Sequence, residues 1–138
     1  NLYWIDPAAA IVIALFILKA AYHLMRKALG DLMDVKLPAG EEEWIRSVIA
    51  EHRPEVNGFH RLRTRKAGNF RFIEFHIKVN PQMSVISSHQ ITRDLKKSIM
   101  DKFPHTTINV HVEPCEGECS EECTAGCFLD EKQRHERV

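Results

Sequence analysis

The residues of this chain best suited to chemistry are His111 and Glu113. Side chains two apart on an extended strand point the same way with Cα atoms about 6.6 Å apart, so this imidazole and this carboxylate can both reach one metal ion. His76 falls on the polar side of a second strand-like run, and His60 and His89 lie in the same stretch of chain. Neutral imidazoles and carboxylates together suit zinc, cobalt or ferrous iron. Spacing alone leaves two readings open: a metal site, or histidines that are solvated or packed in a dimer. Four cysteines follow at four-residue intervals, Cys115, Cys119, Cys123 and Cys127. They lack the two-residue spacings of zinc ribbons, although in one helix such thiols would share a broad face and take a soft metal such as cadmium loosely. The other reading is a disordered acidic tail with reduced thiols.

The elements that must position these groups follow from hydrophobic periodicity. Residues 107–113 read as a strand with Ile108, Val110 and Val112 inward and Asn109, His111 and Glu113 outward. In residues 70–79, Ile73, Phe75, Ile77 and Val79 alternate with Phe72, Glu74, His76 and Lys78, which turns His76 away from the apolar side. A further strand over residues 59–66 joins this one through a hairpin connection at 67–69 that contains Gly68. His60 lies on it, and alternation leaves open whether its face is core. Trp44, Ile45, Val48 and Ile49 recur at helical spacing after Glu41-Glu42-Glu43, whose charges favour a helix N-terminus, and Pro54 prevents continuation. Ile91, Leu95, Ile99 and Phe103 stripe a second helix over residues 84–103, with His89 on the flank of the stripe and therefore at the surface. The order αββαβ predicts an α+β domain, a three-stranded sheet with two helices on one face in a truncated ferredoxin-like arrangement.

Ahead of this domain, residues 7–25 carry one charge, Lys19, and are just long enough to cross a hydrocarbon core of about 30 Å as a helix. Their apolar residues surround the helix, as contact with a lipid bilayer requires; a buried core helix is the alternative. Tyr3, Trp4 and Tyr22 flank the span as interfacial anchors, and Lys19 can snorkel. Arg26, Lys27 and Lys36 follow it whereas only Asp6 precedes it, so the positive-inside bias expects everything after the span in the cytoplasm. Leu37-Pro38-Ala39-Gly40 breaks the helix. The expected organisation is a membrane helix with its extension over residues 1–37, a metal-binding domain over 38–114 and an acidic Cys-rich tail over 115–138. The chain begins at Asn1, not at a methionine, and is expected to be a piece of a longer protein.

Nineteen basic and 19 acidic side chains cancel, so no global field collects nucleic acid. The basic run Arg61 to Lys66 lacks the glycine-aromatic pattern of RNA-binding sheets, and no nucleic-acid partner is expected. Clustered in a short acidic stretch, the cysteines do not form a disulfide framework, and reduced thiols in a cytosolic compartment fit better.

These features together resemble the cation diffusion facilitator family, and within it the bacterial ferrous-iron and zinc efflux pumps. The resemblance runs from about residue 4 to residue 115 and is carried by Leu32-Met33-Asp34 with Leu37-Pro38, by Gly58-Phe59-His60-Arg61-Leu62-Arg63-Thr64-Arg65, and by His111-Val112-Glu113-Pro114-Cys115. It implies a proton-coupled antiporter of the inner membrane, not an enzyme, whose transport site lies on membrane helices absent from this chain. It also implies a cytosolic domain that forms a homodimer around a binuclear metal site at His60, His76, His89, His111 and Glu113. Zinc is the expected metal, with ferrous iron, cadmium and cobalt fitting the same donors. Relatives place an aspartate where this chain has Glu113, and the Cys-rich tail lies outside the family pattern. By the same resemblance, Asp34 joins an interlocking salt bridge at the cytosolic mouth of the dimer. A membrane-tethered metallochaperone or sensor is the alternative from another functional class.

Overall fold

A computed structural model of the chain describes residues 3–32, 35–116 and 120–135; Asp34 and Cys119 therefore lie outside the described residues. The chain divides into two compact units, Asn1–Val35 and Lys36–Val138. The first consists of helix α1, Ile5–Leu32, at 28 residues longer than its apolar stretch alone predicts. Asp6 in its first turn complements the helix dipole. Ile13, Phe16, Leu18 and Leu24 are all exposed, and among the described residues this is the one helix long and apolar enough to cross a membrane.

The second unit contains α2 (Ala39–Ala50), β1 (Val56–Ala67), β2 (Phe70–Val79), α3 (Val85–Lys102) and β3 (Thr106–Pro114), in the αββαβ order that periodicity predicts. The strands form one sheet in the order β1-β2-β3, with β1 antiparallel and β3 parallel to β2. A parallel pair needs a long crossover, and α3 supplies it. Central β2 contributes Ile73, Phe75, Ile77 and Val79 to the core, where Ile45, Val48 and Ile49 of α2 and Ile91, Leu95 and Ile99 of α3 meet them. On the edge strand β3, Ile108, Val110 and Val112 face the same way but are only partly buried.

Local chemistry sets the element ends. Pro38 at the N-cap of α2 offers no side-chain cap, so Glu41 and Glu42 in the first turn answer the dipole instead. Thr64 ties this end to the sheet: its Oγ1 accepts from the Leu37 backbone N–H at 3.2 Å and donates to the Glu42 carboxylate. Ser84 caps α3 by accepting from the Ser87 N–H at 3.1 Å. The β1–β2 turn has Gly68 at φ 58°, a conformation glycine adopts without steric cost.

The tail is neither one helix through the cysteines nor an unstructured end among its described residues, which corrects both sequence readings. Cys115 closes the β3 end with its N–H on the Val79 carbonyl at 2.9 Å, Ser120 caps the short helix α4 (Glu121–Ala125), and Gly126 ends it. A last short helix, α5, covers Glu131–His135. Gly126 lies close against β1, where a Cβ would stand 1.8 Å from the Phe59 carbonyl oxygen.

Candidate metal centre

Whether the histidines meet is decided by an irregularity in β1. His60 pairs with His76 and Arg63 with Glu74, so Arg61 and Leu62 stand opposite the single residue Phe75. This is a β-bulge, and Arg61 within it takes φ 52°, the left-handed region. The bulge reverses the alternation: Phe59 and Thr64 are both buried, although a regular strand would put them on opposite faces. His60 is thereby turned to the polar face. There it pairs with His76, which pairs with His111 across the parallel ladder, so a row of three imidazoles crosses the sheet with ring centroids 5.2 and 4.8 Å apart.

The next row on the same face of the sheet is Gly58, Lys78 and Glu113. From it Glu113 reaches back toward the histidines. Its Oε1 accepts from His76 Nδ1 at 2.7 Å, and its Oε2 stands 3.2 Å from His60 Nε2 and 2.8 Å from Lys78 Nζ. Lys78 also donates to the Pro114 carbonyl at 3.2 Å. His111 lies at the rim, its side chain 62% exposed and its Nε2 3.8 Å from Glu113 Oε1.

His60 carries an unmet demand. Its side chain is 10% exposed, and neither ring nitrogen makes a hydrogen bond, because the 3.2 Å approach to Glu113 is not aligned as one. A buried polar atom without a partner costs about 1–3 kcal/mol and calls for an explanation. Ligand atoms of His60, His76 and Glu113 all lie within 4.8 Å of one another, and two imidazoles with one carboxylate form a donor set that zinc takes in tetrahedral sites. The residues present fit such an ion.

Electrostatics prepare the same state. Burial raises the Glu113 carboxyl, but hydrogen bonds from Lys78 and His76 outweigh it and hold the group at about 2. Burial lowers the His60 imidazole against the opposing pull of Glu113. For Lys78, the hydrogen bond and charge of Glu113 overcome burial and raise the ammonium. Glu113 is thus held as carboxylate and His60 as neutral imidazole, the forms that ligate.

The other sequence candidates are dispersed. His89 is exposed on α3 and does not belong to the cluster. Cys115 and Cys123 are buried and Cys127 partly so: Cys115 follows the end of β3, Cys123 lies on α4, and the Cys127 backbone pairs with Gly58 of β1. Sequence reasoning missed the bulge and Lys78. The bulge had a signal in the change of apolar parity between Phe59 and Leu62, and Lys78 had one in its place two residues after His76 on the face that carries the ligands.

A sequence profile of the cytoplasmic domain of cation efflux proteins matches residues 37–115. Protein p34 of Rickettsia prowazekii (strain Madrid E) is 33% identical over 112 residues, which cover 81% of this chain and 37% of that protein. Cation-efflux pump FieF of Cronobacter sakazakii (strain ATCC BAA-894) is 32% identical over 115 residues, covering 83% of this chain and 38% of that protein. The chain thus spans little more than a third of the length of these curated relatives. Among solved structures, the zinc form of CzrB, a proposed zinc transporter, superposes with a TM-score of 0.57 at 37% identity, over 64% of this chain and 100% of that one. With more than half of its residues matched by the profile and the same fold in a structural relative, this chain belongs to the cation diffusion facilitator family and carries that family's cytoplasmic domain.

Proposed function

We propose that this chain is the C-terminal part of a divalent-cation efflux transporter of the inner membrane, working by proton-coupled antiport and not as an enzyme. In this reading α1 is the last membrane helix, and the basic residues after it keep the domain cytoplasmic. The domain over residues 38–114 binds zinc through His60, His76 and Glu113, with His111 at the rim, and forms a homodimer whose closure regulates transport. Ferrous iron, cobalt and cadmium fit the same donors less specifically. His89, exposed on α3, is available to the second protomer. Asp34 is proposed for the interlock between protomers, and the thiols of the tail for accessory binding of soft ions.

The observation that carries the proposal is His60, a part-buried imidazole whose two buried nitrogens lack hydrogen bonds and face a carboxylate that His76 already holds. The names of the relatives support it, FieF being called a cation-efflux pump and CzrB having been solved in a zinc form. The test is zinc titration of the full chain in detergent, followed by calorimetry. One strong zinc equivalent or more per chain, lost in His76→Ala, is the expected result. Zinc binding that His76→Ala and His60→Ala leave unchanged would remove the site.

A further inference from the structure

The Glu113 carboxylate already has a cation beside it. Lys78 Nζ stands 2.8 Å from Oε2, the oxygen that faces His60 Nε2 at 3.2 Å, and the ammonium also donates to the Pro114 carbonyl at 3.2 Å. The side chain is 20% exposed, so this is a largely enclosed pair. Its position follows from the strand: two residues beyond His76 on β2, Lys78 projects from the ligand face and pairs in register with Glu113.

We propose that Lys78 is a tethered competitor for the metal: its ammonium holds Glu113 in the empty domain, must give up that oxygen when a divalent cation binds, and so raises the concentration at which the site fills. The inference rests on the metal-site reading above and adds a threshold to it. Charge bookkeeping gives the reason. Two neutral imidazoles, one carboxylate and one ammonium sum to zero; a divalent ion brings the sum to two positive charges with Lys78 in place and to one without it. Like charges close together in a poorly hydrated site repel strongly. The lysine stem is flexible, so the ammonium can swing toward water and relieve part of this repulsion at the cost of both its contacts. Filling then requires two changes at once, loss of the Lys78–Glu113 pair and gain of the metal, and the domain responds to excess metal instead of scavenging traces.

The test uses the full chain in detergent, with zinc affinity measured by competition against a chromogenic chelator. Lys78→Gln is expected to bind zinc at least about tenfold more tightly than the natural chain, and Lys78→Arg, which keeps the charge, to stay within about threefold. Lys78→Met is a second neutral variant should the first fold poorly. Melting separates competition from a structural role: without zinc, Lys78→Gln melts below the natural chain because Glu113 has lost its partner, whereas its upward shift on zinc addition is the larger of the two. A neutral variant that binds zinc no more tightly, while His76→Ala abolishes binding in the same assay, overturns the competitor role and leaves the metal site standing. Zinc binding insensitive to His76→Ala overturns both.

Discussion

At the scale of single residues, the structure gives two histidines quite different partners. His76 touches Glu113 directly, whereas His105, at φ 60° in the connection to β3, meets the Phe70 ring at a tilt with centroids 5.6 Å apart. His76→Ala should therefore weaken zinc binding by at least about tenfold, and His105→Ala by less than about threefold, in parallel calorimetric titrations. Acid acts on the same groups. Because burial lowers the His60 imidazole from 6.5, the folded domain binds fewer protons there than the unfolded chain; its stability rises with pH up through 6.5 and is lost as pH falls below that value. Glu113, held at about 2 against an ordinary 4.5, stabilises the fold fully above 4.5 and loses that contribution as pH falls from 4.5 through 2. Zinc affinity should fall below about pH 6 through the imidazoles, with Glu113 still ionised. Urea denaturation of His60→Gln and Glu113→Gln across pH checks the two windows separately. The sequence exposed His76, His111 and Glu113 to this argument because each sits in a strand whose alternation is regular. His60 stayed undecided for a physical reason: its orientation depends on a bulge, a change of register that period-two reasoning cannot express.

Among elements, the bulge and the crossover helix do the positioning. Arg61 at φ 52° pays for the reversal with strain, since left-handed backbone crowds a Cβ. Arg61→Val should cost about 1–2 kcal/mol and Arg61→Gly less, read from urea midpoints, because glycine relieves the crowding and a β-branched residue worsens it. Both variants lose the same exposed contact of Arg61 with Glu122, so the comparison isolates the backbone. Leu95 of α3 is fully enclosed, and Leu95→Ala should cost about 2–5 kcal/mol and loosen the sheet that carries the row of imidazoles. Periodicity made α2, α3 and the three strands readable, since each buries one apolar face. The tail was not readable, because Phe128 and Cys123 are docked through close backbone approaches at Gly58 and Gly126, and such approaches leave no periodic hydrophobic signal.

For the whole molecule, the proposed dimer would add His89 from the α3 of one protomer to the sheet-face cluster of the other, so that pairing completes the site. If zinc binds the paired arrangement more tightly, it must shift the monomer–dimer equilibrium by that difference. Sedimentation of the chain in detergent across a zinc titration should show tighter dimers, and His89→Ala should blunt the shift without abolishing zinc binding. A dimer constant that zinc leaves unchanged would make the centre a buffer instead of a regulator. The docking of the tail has a separate consequence, for solubility. The outer edge of β1 offers backbone groups at Asn57 and Phe59 that are met by the Phe128 N–H at 2.8 Å and the Gly126 carbonyl at 3.0 Å. An open edge beside an aromatic side chain is a template for strand addition by another molecule. A chain ending at Pro114 would expose it, and light scattering on mild warming should reveal aggregation that the intact chain resists; the segment around Gly126 and Phe128 then serves as the cover that keeps one sheet from growing into many.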